Sequence, residues 1–187
     1  MIHPDSRTLA WIEKVASENN VKDRTLVEKT IRAFSLLEAL VRSGCPLLFK
    51  GGTAEMLHLK STKRLSIDVD IICPPGTQIE EYLKVHSSEY GFDNVELVER
   101  VHRSDMQKQH AKYYYQVSYP EGGKQDKILL DVLFEENHYS HVVTLPIENP
   151  FQRTSLHDLS VRHSCRSQAM RDHQAPYLAH EPPYNGN

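Results

Sequence analysis

The sequence is poor in the features that mark secreted, membrane-spanning and zinc-binding proteins. Its 187 residues include three cysteines, and Cys45, Cys73 and Cys165 form no C-x-x-C pair. This scattered, odd-numbered set supports neither a disulfide framework nor a zinc knuckle, and it favours a reducing compartment. The first residues lack the apolar core of a signal peptide, and no apolar run approaches the roughly 20 residues that span a bilayer. We therefore expect a cytoplasmic protein without a membrane partner.

Charge and histidine spacing point to no partner by themselves. The formal net charge is −3 with neutral histidines, so any contact with RNA must come from a local basic patch. The histidines have neither H-x-x-x-H nor H-E-x-x-H spacing, and we expect surface or packing roles for them. This expectation applies to His58, His86, His102, His110 and His138.

Helical and alternating patterns both occur along the chain, which predicts an α/β (α+β) fold. Periodic apolar positions predict helices at 6–18, 25–43, 53–59 and 77–86. In the second helix, Thr25 and Glu28 fit a capping box, and Gly44 stands where a C-terminal cap belongs. Short apolar or alternating runs predict strands at 46–50, 66–73, 95–102, 111–119, 127–134 and 142–147. The patterns end near residue 154, so we expect a domain over 1–153 and an irregular tail over 154–187.

Two aspartates lie two residues apart in the predicted strand 66–73. Alternate side chains of a strand share a face, so Asp68 and Asp70 point the same way as Ser66, while Ile67 and Val69 point toward the core. Carboxylates about 7 Å apart along a strand repel each other unless a cation lies between them. Mg²⁺ with oxygen ligands would remove that repulsion, although an exposed acidic strand face would show the same pattern.

Asp131 interrupts an otherwise apolar strand at 127–134. Burying an aspartate without a partner is costly, so Asp131 either lies at a solvent-exposed strand end or joins other polar groups. Pairing of this strand with 66–73 would add Asp131 to Asp68 and Asp70 as a third carboxylate.

A glycine turn at residues 51–53 precedes the acidic strand by one helix. Gly51 and Gly52 allow a ligand to approach the backbone, and the following helix start offers free N–H groups to phosphate. The Thr53 hydroxyl adds a further predicted phosphate contact. The cations Lys50 and Arg64 lie where they would neutralise phosphate charge. With the carboxylates, these residues favour phosphoryl or nucleotidyl transfer. The glycine turn argues against a metal-dependent nuclease.

Segments 49–54, 64–70 and 130–132 together resemble the AbiEii family, the nucleotidyltransferase-like toxins of type IV toxin–antitoxin systems, which are related to the MenT toxins. The resemblance covers roughly residues 25–158. It implies a polymerase-β-like nucleotidyltransferase fold, with a mixed sheet flanked by helices. It also implies Mg²⁺ at the three carboxylates and a nucleoside triphosphate at the glycine turn. The implied catalytic and metal-binding residues are Asp68, Asp70 and Asp131, and the implied nucleotide-binding residues are Lys50, Gly51, Gly52, Thr53, Arg64 and Ser66.

The resemblance also implies a tRNA or protein acceptor and a cognate antitoxin. The family pattern continues after Leu156 into a helical domain, whereas this sequence loses helical periodicity after about residue 159. We therefore expect a C-terminally truncated member. Two alternatives stay open: an enzyme of the same fold that modifies a small molecule, and an inactive remnant that binds nucleotide.

Overall fold

The computed structural model describes residues 2–59, 65–98, 108–119, 123–139, 141–153 and 160–164. Its helical elements are a 3-10 turn at Pro4–Arg7, α1 (Leu9–Glu18), α2 (Arg24–Arg42), α3 (Gly51–Leu59) and α4 (Glu80–Leu83). Its strands are β1 (Leu48–Lys50), β2 (Val69–Cys73), β3 (Asn94–Val98), β4 (Lys108–Gln116), β5 (Gln125–Phe134), β6 (Val142–Pro146) and β7 (Ser160–Ser164). None of the helices in these ranges is long and apolar enough to cross a membrane.

The seven strands form one mixed sheet in the order β3-β4-β5-β2-β1-β7-β6. At its centre, β2 pairs in parallel with β5 and antiparallel with β1. On one side β4 runs antiparallel to β5, and on the other β7 runs parallel to β1. The predicted mixed sheet flanked by helices is confirmed, and this architecture is consistent with a nucleotidyltransferase fold.

The two faces of the central sheet differ in burial. Along β5, Ile128, Leu130 and Val132 are buried, while the residues between them are only partly covered. Helix α2 covers the buried face, where the Arg32 guanidinium lies 4.6 Å from the centroid of the Tyr115 ring. Alternation along β5 therefore separates a helix-covered face from an open face.

Helix α2 begins one residue earlier than predicted. The Asp23 side chain accepts a hydrogen bond from the Leu26 backbone N–H at 3.1 Å, so the predicted capping box at Thr25 is wrong. Aspartate is as good an N-cap as threonine, and Glu28 turns into the protein instead. Gly44 has a φ of +78° after the helix, which confirms the predicted C-terminal cap.

Other predicted elements also differ from the structure. The helix predicted over 77–86 is confined to Glu80–Leu83. The acidic strand begins at Val69, so Asp68 precedes it. The prediction of an irregular tail over 154–187 is wrong at Ser160–Ser164, which form β7 and pair with β1 and β6. In β7 Val161 is buried, and a single apolar residue gives no strand pattern. The remainder of 154–187 lies outside the described residues.

The segment that ends at Arg153 is held against the N-terminal elements. Phe151 is fully buried, and its carbonyl accepts a hydrogen bond from the Trp11 indole N–H at 2.8 Å. The His3 backbone N–H donates to the Arg153 carbonyl at 2.8 Å. These contacts join the two ends of the 1–153 region around the start of α1.

Candidate active site

Four polar residues form a row across the open face of the sheet. Lys50 on β1 pairs with Asp70 on β2, Asp70 pairs with Asp131 on β5, and Asp131 pairs with His110 on β4. Directly paired residues in adjacent strands project from the same side of a sheet. The parallel pairing of β2 with β5 therefore brings Asp131 beside Asp70, as the sequence predicted.

The glycine turn lies directly against Asp70. Gly51 has a φ of +79°, and a Cβ built on it would lie 2.1 Å from Oδ2 of Asp70. Any side chain here would both strain the backbone and overlap the carboxylate. The Lys50 ammonium, one residue earlier, lies 3.9 Å from Oδ1 of Asp70. The Asp70 carboxylate therefore lies against both Gly51 and the Lys50 ammonium.

The rest of the turn packs against the segment that leads into β2. A Cβ built on Gly52 would lie 3.0 Å from Oγ of Ser66. The Thr53 side chain is buried, and its hydroxyl donates to the Asp68 carbonyl at 2.5 Å. The predicted phosphate contact by this hydroxyl is therefore not what the structure shows. This hydrogen bond holds the backbone of Asp68 one residue before β2 begins.

Burial and neighbouring negative charge raise the pKa values of Asp68 and Asp70. Partial burial raises the pKa of Asp68, the charge of Asp131 raises it further, and Lys29 opposes the change. Partial burial also raises the pKa of Asp70; Lys50 opposes that change, and the charges of Asp131 and Asp68 add to it. Negative charge is therefore concentrated at the start of β2, where a cation would stabilise the ionised forms.

His110 belongs to the site although its spacing in the sequence gave no sign of it. Its Nδ1 lies 2.5 Å from Oδ1 of Asp131. The prediction of a surface or packing role for His110 is incomplete, because spacing between histidines does not reveal a carboxylate partner. Its partner is 21 residues away, and the signal was its position opposite Asp131 in the antiparallel pair of β4 and β5. Arg64, also predicted for the site, lies outside the described residues.

The donor set fits a Mg²⁺ ion that arrives with a triphosphate. Within the described ranges, no group of three or more histidine, cysteine or acidic side chains forms a ready-made metal site. Mg²⁺ is commonly held by one or two carboxylates together with substrate phosphates and water. Asp68 and Asp70 are two such carboxylates; burial and neighbouring negative charge raise their pKa values, and a bound cation would favour their ionised forms.

A family model described as "Nucleotidyl transferase AbiEii toxin, Type IV TA system" matches residues 35–167. No curated sequence matches the chain. Among solved structures, JHP933 from Helicobacter pylori is similar, with 15% identity and a TM-score of 0.48. The match covers 79% of this chain and 56% of JHP933, so this chain spans just over half the length of that protein.

The family match contains the glycine turn, the acidic segment and Asp131. It extends over well more than half of the chain, from within α2 to just beyond β7. The chain therefore belongs to the AbiEii nucleotidyl transferase toxin family of type IV toxin–antitoxin systems.

Proposed function

We propose that this protein is a Mg²⁺-dependent nucleotidyltransferase of the toxin type, which transfers a nucleotide from a nucleoside triphosphate to an RNA or protein acceptor. The observation that carries the proposal is the position of Asp70. Its carboxylate lies against Gly51 on one side and beside Asp131 on the other. A triphosphate on the turn would place its phosphates next to all three carboxylates.

The glycine turn is proposed to hold the phosphates. Gly51 begins α3, and the first N–H groups of a helix lack partners within the helix. With the helix dipole they make an anion site, here formed by the backbone of residues 51–53. Lys50, Arg64 and Ser66 are proposed to contact the phosphates with their side chains. Because the Thr53 hydroxyl is engaged with Asp68, Thr53 contributes through its backbone.

The three carboxylates are proposed to bind Mg²⁺ and to accept a proton. Asp68 and Asp70 would hold Mg²⁺, with Asp131 as the third acidic group. When bound, the ion offsets the charge on the transferring and leaving phosphoryl oxygens. Asp131 accepts the proton of the acceptor hydroxyl. The acceptor oxygen then bonds to the α-phosphorus, the bond from that phosphorus to the bridging oxygen breaks, and pyrophosphate leaves.

The acceptor and the partners are further parts of the proposal. We propose a tRNA or protein acceptor, a cognate antitoxin and a cytoplasmic location, with residues 1–153 together with β7 as the nucleotidyltransferase domain. The net charge of −3 gives no overall attraction to nucleic acid. A protein acceptor or a small-molecule acceptor therefore belongs in the test beside RNA.

The test is a transfer assay with each α-labelled triphosphate, Mg²⁺ and three separate acceptor pools: total RNA, cell protein and small metabolites. We expect label in the RNA or protein pool, with its transfer about 10³-fold slower after Asp70→Asn. Label confined to the metabolite pool would replace the macromolecular acceptor by a small molecule. Absence of transfer from every triphosphate, with a Mg²⁺-dependent thermal shift, would instead support a binding protein without turnover, since ligand at 100 Kd adds about 2.7 kcal/mol.

A further inference from the structure

We infer that His110 is a positioning residue of this site, which holds the Asp131 carboxylate so that a single oxygen faces the reacting groups. The inference rests on the proposed function, since it assigns the support of the proposed proton acceptor. Its starting observation is the 2.5 Å contact between His110 Nδ1 and Asp131 Oδ1. The two residues are direct partners in the β4–β5 pair, so the backbone register itself brings them together.

The chemistry of the two groups sets the direction of the hydrogen bond. An ionised carboxylate is only an acceptor, so Nδ1 of His110 carries the proton and donates it. Hydrogen bonds to an ionised acceptor are shorter and stronger than neutral ones. The bond occupies Oδ1 of Asp131 and leaves Oδ2 for the acceptor hydroxyl. It also selects one orientation of a carboxylate that would otherwise rotate.

Burial makes His110 the fixed member of the pair. Its side chain is 13% exposed, whereas that of Asp131 is 46% exposed. The imidazole is therefore held by its surroundings, and the carboxylate reaches from it onto the open face. A general base works efficiently only when it is held within hydrogen-bond reach of the proton it removes. Loss of the imidazole should therefore slow the reaction without removing the nucleotide site.

Three variants of His110 separate positioning from simple cross-strand support. His110→Asn keeps a donor nitrogen the same number of bonds from Cα as Nδ1. His110→Gln places its nitrogen at the Nε2 distance, and His110→Ala has no donor. We expect Ala and Gln to lower kcat by about 10–100-fold, the usual effect of removing an outer-shell partner. KM for the triphosphate should stay constant, and Asn should restore most of kcat.

Equal loss of kcat in all three variants would overturn the inference, as would wild-type kcat in His110→Ala. A purely structural pair would lower the melting temperature of the variants and leave the kcat of the folded enzyme unchanged. No transfer by the wild-type chain would contradict the proposed function itself, which is a different outcome.

A measurement without substrate tests the same hydrogen bond. In ¹⁵N–¹H spectra of the full chain, the ring signals of His110 are assigned by their loss in His110→Asn. We expect a proton on Nδ1 in the wild type, and a change in its shift in Asp131→Ala. A His110 ring with a proton on Nε2 and none on Nδ1 would overturn the inference whether or not any transfer is found.

Discussion

Charged side chains occur on both faces of the sheet, but they have opposite surroundings. Under α2, the Glu28 carboxylate is 1% exposed and accepts hydrogen bonds from the backbone N–H groups of Ser118 and Tyr119 at 2.9 and 3.0 Å. Arg32 lies 3.5 Å from Glu28 and donates to the Gln116 carbonyl at 3.2 Å. These charges are compensated and join α2 to the end of β4.

On the open face, like charges are neighbours. Asp70 and Asp131 pair directly across two strands, and Asp68 and Asp70 both have raised pKa values to which the charge of Asp131 contributes. Lys50 compensates Asp70 only in part, from 3.9 Å. We infer that the covered charges stabilise the fold, whereas the open ones form the proposed site for a cation and a phosphate at the expense of stability.

The largest effect is expected at Asp70. Asp70→Asn keeps the shape of the side chain and removes the charge between the glycine turn and Asp131. We expect transfer to fall by about 10³-fold, equivalent to about 4 kcal/mol of transition-state stabilisation. Initial rates with the label-accepting pool measure it. Unchanged melting of the variant shows that the fold is intact, and a loss of less than tenfold would remove Asp70 from the centre of the account.

A change at Glu28 should lower the free energy of unfolding, whereas a change at Asp70 should lower transfer. Glu28→Ala leaves Arg32 buried without its partner, and breaking a buried pair in this way costs about 3–5 kcal/mol. Urea denaturation measures the free energy of unfolding. Glu18→Ala is the control, because Glu18 lies 3.9 Å from Lys14 with both side chains 58% exposed, and such a pair contributes at most about 1 kcal/mol. Similar losses in the two variants would contradict the structural role of Glu28.

Gly44 and Gly51 have the same backbone conformation, so alanine at each position distinguishes backbone strain from contact with Asp70. Gly51 has φ +79° and Gly44 has φ +78°, but a Cβ on Gly44 would meet nothing within 4 Å. Each change to alanine should cost about 1–2 kcal/mol for the left-handed conformation. Gly51→Ala should in addition slow transfer, by no more than Asp70→Asn does, because its Cβ displaces the Asp70 carboxylate. Equal transfer rates in the folded Gly44→Ala and Gly51→Ala proteins would show that this contact has no part in the reaction.

The smallest effect is a dependence of stability on pH. Because folding raises the pKa values of Asp68 and Asp70, these two carboxyl groups bind more protons in the folded chain than in the unfolded chain above about pH 4. Their contribution to the free energy of unfolding should therefore fall as pH rises through the folded pKa values. In Asp68→Asn this fall should shrink by about 0.5 kcal/mol, a small change because Asp68 is exposed and screened.

Denaturation at several pH values measures that fall in the wild type and in Asp68→Asn. Mg²⁺ should stabilise the wild type at pH 7 more than the variant. If the free energy of unfolding falls equally with pH in both proteins, and Mg²⁺ stabilises both equally, then Asp68 and Asp70 do not bind the cation.

The sequence predicted those parts of the fold and site that local patterns encode. Alternation found β5 as a strand, and the lone Asp131 within it indicated a polar neighbour. The glycine pair located the turn that meets Asp70. These features depend on short stretches of chain, where burial and backbone conformation leave a direct trace in residue type.

The parts that were not predicted depend on contacts between distant residues. His110 joins the site through the register of β4 against β5, which no spacing within one strand reveals. The Thr53 hydroxyl is directed to the Asp68 carbonyl by packing of the turn on the segment before β2. Strand β7 is formed by pairing with β1 and β6, although Val161 is its one apolar residue.

We expect the open-face carboxylates and the glycine turn to transfer a nucleotide and release pyrophosphate. The most direct measurement compares α-labelled and γ-labelled samples of the same triphosphate, with Mg²⁺ and the acceptor pool that takes label. We expect α-label to enter the acceptor and γ-label to leave in pyrophosphate, with transfer and release both about 10³-fold slower in Asp70→Asn. Entry of γ-label into the acceptor, or equal α-label transfer by Asp70→Asn, would contradict nucleotidyl transfer at these carboxylates.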